Sequence, residues 1–446
     1  MFVAHAPAIP DLLKRLAPEE VGAAVAASTP DERGRYVHWD KLRHLPPPSG
    51  ISIEQWWLKI KLARANERRG FPLTDTYGRR FGFTLPDVVL RHLHYIDQHC
   101  SGEVAMEGVV TSEKEAGRRF LVNSLMEEAI RSSQLEGATT SRRVAKEMLR
   151  SGRSPKDRGE RMIANNYRAL QFMREDLTGE LTPEAVLELH RIVTEGTLDN
   201  PDGAGRLQRP DEERVAVFDR DDREQPVHRP PPAEELPERM AALCRFANGV
   251  EDKEQFVHPV VRAILLHFWL AYDHPFEDGN GRTARMLFYW EMRKQGYWLA
   301  EYLPISRLIY KAPAQYVRAF LQTETDEGDA TYFVIHQLKV IKQATEDLHR
   351  YLRRKIAEQG DLKEMLHATE GLNGRQLVLL THAVKHPNHT YTFRGHARSN
   401  RVTHETARSD LGDLADRGFL LRQRRGRTYL FEVPPDLPER LRESSR

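Results

Sequence analysis

Between residues 259 and 271 nearly every position is apolar. Val260, Val261, Ile264, Leu265, Leu266, Phe268, Trp269 and Leu270 occupy all sides of a helical wheel, which predicts a helix buried all round rather than one lying on a surface. Elsewhere apolar positions recur every three to four residues and predict amphipathic helices over about 55–69, 86–98, 124–135, 160–176, 183–196, 282–293, 305–322 and 329–358. In the first, Ser52 is the cap, Trp56, Ile60, Ala63 and part of Leu62 form the apolar stripe, and Gly70 is the stop. Trp56 and Trp57 beside Lys59 and Lys61 read as core packing in preference to a nucleobase platform. The second helix turns Val88, Leu90, Leu93 and Ile96 inward, while His92, His94 and His99 lack the i, i+4 spacing of a helical metal pair and read as structural. Thr182, Pro183 and Glu184 give the helix over 183–196 a cap, a first-turn proline and an acid.

Strand patterns are few. Residues 215–218 are β-prone, Asp219 to Glu224 form a charged turn, and 225–228 return in extended form, so a hairpin is expected; Pro226 and Pro230 keep its return limb from being a central strand and leave a ladder open to an extended peptide. Near the C-terminus helices over 375–385 and 403–417, the latter ended by Gly418, precede a hairpin of 419–421 and 428–431 whose tip carries Arg422, Arg424, Arg425 and Arg427. The fold class is mainly α.

Composition narrows the function without naming it. A chain of 446 residues has room for two to three domains, and 30% charged against 40% apolar residues is a globular balance. A formal net charge of +2 points away from general polyanion binding, so any basic surface must be local. Cys100 and Cys244 form no metal-type spacing and read as buried thiols in a reducing compartment. No run of about 18 apolar residues and no leader-like start is seen, so the expectation is a cytoplasmic protein without a membrane partner.

The chemistry concentrates in His274 to Arg285, HPFEDGNGRTAR. Gly279, Asn280 and Gly281 accept positive φ cheaply and predict a corner between two helices. A helix beginning near Gly281 turns its free N–H groups and positive dipole end to the loop, which favours an anion. Arg282 and Arg285 fall on one face of that helix, Asp278 stands at the mouth with oxygen ligands suited to Mg2+, and His274 can take a proton near neutral pH. Phe276 is the apolar anchor. Upstream, Glu136 ends the helix over 124–135 just before Gly137, where the dipole opposes a carboxylate, so a cation is expected to meet it.

The order His, Pro, Phe, any residue, acid, Gly, Asn, Gly, Arg, two residues, Arg resembles the signature of the Fic family of AMP-transferring enzymes at every fixed position, and Ser132 to Gly137 resembles that family's inhibitory motif. The resemblance implies a protein adenylyltransferase moving AMP from ATP to a Ser, Thr or Tyr hydroxyl. It makes His274 the base, Asp278 the Mg2+ ligand, and Gly279, Asn280, Gly281, Arg282 and Arg285 the phosphate cradle. Tyr316 is a candidate wall for adenine or ribose, and Glu136 would restrain the enzyme by occupying Arg285. The stretch over 214–229 lies where Fic proteins carry the flap that holds the target segment.

The expected architecture is then an N-terminal helical region (1–118), a Fic domain (119–322) with inhibitory helix (124–137), flap (214–229) and motif (274–285), a helical linker (323–369) and a module resembling a winged helix (370–446). ATP and a target protein are the expected partners; a homodimer and DNA, the latter through the winged helix, are left open. Removal of AMP, transfer of another phosphate-containing group, or a DNA-binding regulator using the Fic domain as a sensor are the alternatives.

Overall fold

A computed structural model describes residues 3–26, 34–101, 116–218, 226–250, 255–368, 371–425 and 428–444. The chain divides into two compact units, Met1–Leu348 and His349–Arg446. The first begins with α1 (Ile9–Arg15), α2 (Pro18–Ala26), α3 (Trp39–Leu42), α4 (Ile53–Glu67), the antiparallel strands β1 (Arg69–Thr74) and β2 (Arg80–Phe83), and α5 (Asp87–Cys100). It continues with α6 (Ala116–Leu135), α7 (Arg142–Ser151), α8 (Arg158–Glu175), α9 (Pro183–Thr194), the antiparallel pair β3 (Val217–Phe218) and β4 (Pro226–His228), and α10 (Leu236–Ala247). Then follow α11 (Pro259–Asp273), α12 (Asn280–Lys294), α13 (Ile305–Lys311), α14 (Pro313–Thr325) and the long α15 (Thr331–Ala368), whose residues beyond Leu348 belong to the second unit. The protein is mainly α.

Capping explains where several of these helices start. Ser52 and Gln55 satisfy each other's backbone N–H groups in a capping box at α4, and the Thr182 hydroxyl accepts from Ala185 at α9, with Pro183 in the first turn. The apolar α11 is buried throughout most of its length and pairs with α12 at the centre of the largest core. Phe71, Leu73, Phe81 and Phe83 of the β1–β2 hairpin, and Phe333, Val334, Leu338 and Ile341 of α15, pack into the same core. The adjoining ends of α11 and α12 are therefore anchored in the largest core cluster of the unit.

Several expectations change in detail. Trp56 and Trp57 are core residues, as read from the sequence. In α5, Val89 rather than Leu90 turns inward, because the helix begins at Asp87 and its buried stripe runs Val89, Leu93, Ile96, Cys100. The helix expected over 305–322 is two helices, since Pro313 cannot continue α13 and instead takes the first turn of α14. The stretch read as a linker over 323–369 includes the end of α14 and buried positions of α15. The hairpin β1–β2, the helix α7 and the polar cluster joining Lys61 to Asp326 (2.7 Å) have no counterpart in the sequence reading. The charged turn Asp219 to Glu224 lies outside the described residues, and so does Arg427.

The second unit holds α16 (Gly374–Lys385), β5 (Thr390–Tyr391), α17 (Phe393–Asn400), α18 (His404–Asp416), β6 (Leu421–Arg425), β7 (Thr428–Glu432) and α19 (Leu437–Ser444), with the antiparallel sheet order β5-β7-β6. Its own core gathers Leu379, Leu380, Leu411, Leu414, Phe419 and Phe431. The buried Asp410 ties three helices by accepting from Arg375 (2.7 Å), Asn373 (2.8 Å) and His396 (3.1 Å). Cys100 and Cys244 are free and buried. Among the described residues no helix is long and apolar enough to cross a membrane.

Candidate active site

The corner between α11 and α12 is built by its own residues. His274 caps α11 in the left-handed region (φ 45, ψ 53), and Gly279 adopts φ 86. Gly279 is needed twice over: a Cβ there would also meet Thr194 Cγ2 at 2.7 Å. The Asn280 side chain accepts from Phe276 N–H (2.9 Å) and donates to Phe276 C=O (2.8 Å), which closes the loop. Asn280 thus spends its amide on the corner, and what it presents to a ligand is backbone. Phe276, fully buried, stacks on His190 at 3.7 Å. His190 accepts from Gly205 N–H and so must donate from Nε2 to the Asp278 carbonyl (2.8 Å); burial lowers its pKa to about 4 and keeps it neutral.

His274 is half-buried. Its Nδ1 faces the Ala271 carbonyl at 3.4 Å, so the proton of the neutral ring belongs on Nδ1 and Nε2 keeps its lone pair. Burial lowers its pKa to about 4, reinforced by the charge of His228. Asp278 at the mouth is part-exposed; one oxygen accepts from Gly279 N–H and the other lies 3.3 Å from Arg282 Nη2.

Arg282 and Arg285 are both buried. Arg282 donates from Nη1 to Val193 C=O (3.1 Å), while its Nε has no hydrogen-bond partner among the described residues. A buried guanidinium with an unused donor marks a place for an acceptor. Arg285 donates from Nε to Ser132 Oγ (2.8 Å) and from Nη2 to Ser132 C=O (3.1 Å) and Glu136 Oε1 (2.8 Å). Burial works against its charge, and the Glu136 carboxylate outweighs that, holding the guanidinium above its ordinary pKa. Glu136 Oε1 also crowds the place that a Cβ on Gly281 would take, so the carboxylate rests on the first turn of α12. The cation expected to meet Glu136 is present, joined by a second favourable term, the positive end of α12.

Tyr316 lies on α14 with its hydroxyl 2.8 Å from His267 Nε2 and its ring among Phe320, Phe333 and His336. It is half-buried, and its polar atom turns into the protein beside Arg285 rather than outward.

Contacts absent from the sequence reading hold the flap region to this corner. Arg214 donates to the carbonyl groups of Asp273 (2.7 Å), His274 (3.1 Å) and Pro231 (2.8 Å). His228 meets Tyr272 C=O at 2.7 Å and Glu324 at 2.9 Å. Both limbs of the β3–β4 hairpin therefore satisfy the carbonyl groups that α11 leaves open at its C-terminal end. Such side chain-to-backbone contacts follow no spacing rule. His190, by contrast, had a signal, being an ionisable residue in the apolar stripe Val186, Leu189, Val193.

Residues 180–292, containing this corner, match the family model described as Fic/DOC family. A protein adenylyltransferase Fic of Nematostella vectensis is 30% identical over 179 residues, 38% of this chain and 38% of that protein. One of Drosophila willistoni is 32% identical over 204 residues, 45% of this chain and 35% of the relative. The chain thus spans less than half the length of these relatives. The crystal structure of a Fic family protein from Desulfovibrio desulfuricans G20 shares the fold, with TM-score 0.55 and 19% identity over 79% of this chain and 98% of that one. With the HPFEDGNGR corner inside the matched region, residues 180–292 of the chain form a Fic/DOC family domain.

Proposed function

We propose that the chain is a protein adenylyltransferase restrained by Glu136. The observation that carries this reading is the Glu136 carboxylate lying on Gly281 and Arg285: an anion already rests on the helix end and guanidinium that a nucleotide phosphate needs. In the reaction, the oxygen of a Ser, Thr or Tyr hydroxyl bonds to the α-phosphorus of ATP and the bond from that phosphorus to the bridging oxygen breaks, releasing pyrophosphate. His274 Nε2 takes the hydroxyl proton. The N–H groups of Asn280 and Gly281, joined by that of Gly279 once it leaves the Asp278 carboxylate, hold the α-phosphate, and Arg282 and Arg285 hold the β- and γ-phosphates, so catalysis is chiefly positioning and charge stabilisation.

Mg2+ fits this cradle. Asp278 offers a part-exposed carboxylate at its mouth, and Mg2+ characteristically takes one or two carboxylates with the rest of its shell from phosphates and water. When bound it supplies positive charge beside the departing pyrophosphate. Tyr316 stays the candidate wall for adenine or ribose through its ring, since its hydroxyl is turned to His267.

The experiment is mass spectrometry of the Glu136→Gly protein after incubation with ATP, UTP or CTP and Mg2+. An AMP adduct from ATP supports the reading, an adduct of another group reassigns the donor, and loss of AMP from a premodified protein reverses the direction.

A second reading concerns the C-terminal unit. Residues 371–446 carry 14 Lys and Arg against 8 Asp and Glu, a formal +6 in a chain of +2. Arg394, Arg398, Arg401, Arg408, Arg424 and Arg425 are all exposed on a helix pair followed by a hairpin, an arrangement suited to a winged helix on duplex DNA. Arg422 is partly committed to Asp416 (2.7 Å). Binding of the full chain to a short duplex should weaken steeply from 50 to 200 mM salt, roughly a thousandfold for six phosphates neutralised, and absence of binding at low salt would return the unit to protein contacts.

A further inference from the structure

We infer that His228 is a positioning residue for the proposed transfer: an imidazolium between a backbone carbonyl and a carboxylate, it fastens the return limb of the flap hairpin to the end of α11 that presents His274. The catalytic half of this inference rests on the transfer reading; the protonation state does not.

The state of the ring follows from its partners. Nε2 lies 2.7 Å from the Tyr272 carbonyl oxygen and Nδ1 lies 2.9 Å from Glu324 Oε2. A carbonyl has no proton to give and an ionised carboxylate has none either, so each nitrogen must carry a hydrogen. A ring only 9% exposed holds that charge because Glu324 stands beside it. Burial alone would lower the pKa of His228, and Glu324, helped by the Tyr272 carbonyl and Asp273, turns the shift upward.

Its place gives the charge a use. Tyr272, Asp273 and His274 end α11, where a helix leaves carbonyl groups without partners and favours a cation. His228 takes the Tyr272 carbonyl from one limb of the hairpin, and Arg214 takes those of Asp273 and His274 from the other. The groups facing His228 are Glu324 on α14 and, on α11, the Tyr272 ring (4.6 Å between centroids), Asp273 and His274. Asp273 is committed to Arg239 (3.0 Å) and Trp269 (2.9 Å), so it does not compete for the imidazolium proton.

The test uses the full chain labelled with 15N-histidine in the Glu136→Gly background. Nitrogen chemical shifts followed from pH 5 to 9 should show both ring nitrogens of His228 protonated below a titration midpoint that lies above 6.5; a midpoint at or below 6.5 overturns the inference. His228→Gln keeps a donor for Tyr272 but no charge. It should lower kcat for AMP incorporation roughly tenfold with KM for ATP little changed, and an unchanged kcat overturns the catalytic half. Should that variant fail to fold, Glu324→Gln must lower the His228 midpoint, and an unmoved midpoint overturns the assignment. An imidazolium at His228 in a protein that never incorporates AMP would overturn the transfer reading and the catalytic half together, while sustaining the charge state.

Discussion

Nη2 of Arg285 stands 2.8 Å from Oε1 of Glu136, across 149 residues of chain. The same guanidinium reaches the hydroxyl and carbonyl of Ser132 on the helix that Glu136 terminates, so α6 and α12 meet through one arginine. An arginine with three acceptors on one helix end cannot also be free to hold a phosphate chain. The pair is both a structural joint and, on the proposed function, the point of restraint.

His274 provides the first prediction. With its pKa lowered to about 4 by burial, the ring is already neutral across pH 5 to 7, so the acid limb of the pH–rate profile should fall near 4 to 5 and not near 6.5. His274→Ala should lower transfer by roughly a hundredfold to ten-thousandfold while ATP binding, read by calorimetry, stays nearly the same.

Arg214 provides the second. It bridges the outgoing flap limb to the last carbonyl groups of α11 and to Pro231. Arg214→Met should leave those carbonyl groups unpaired, lowering stability by about 1–3 kcal/mol in urea unfolding, and should lower kcat by loosening His274.

Asp410 tests the C-terminal unit. Burial alone would raise its pKa, but hydrogen bonds from Arg375, Asn373 and His396 outweigh that and lower it to about 2. Because the folded value lies below the unfolded one, the carboxylate stabilises the unit above about pH 4, and that stability is lost as pH falls from about 4 through 2. Asp410→Asn should reduce hydrogen-exchange protection of the Leu379, Leu380, Leu411 and Leu414 amides at pH 7 and flatten its dependence on acid.

What the sequence disclosed and what it hid divide along physical lines. The corner at 274–285 was legible because Gly279 answers a positive φ and α11 is apolar on every side, two demands that composition meets visibly. Glu136 was legible because a carboxylate at the end of its own helix is costly without a partner. The β1–β2 hairpin was missed although Phe71, Leu73, Phe81 and Phe83 alternate inward, because it begins two residues after α4 ends and its first limb contains Pro72. Pro313 was read through, and with it the break between α13 and α14. The grip of Arg214 and His228 on backbone carbonyl groups was invisible because any residue type supplies a carbonyl. Asn280 was assigned to phosphate, whereas its amide serves Phe276; the sequence places the residue but not which way its side chain is spent.

The central claim is that the Glu136–Arg285 pair restrains AMP transfer. The most direct measurement is incorporation of labelled AMP into the protein itself, parent against Glu136→Gly, at matched ATP and Mg2+. A charge-assisted pair worth on the order of 1.5–3 kcal/mol corresponds to a gain of roughly ten- to a hundredfold, and Arg285→Ala in the same background should cancel it. No increase, with ATP still bound, would contradict the account and leave Glu136 as a structural end to α6.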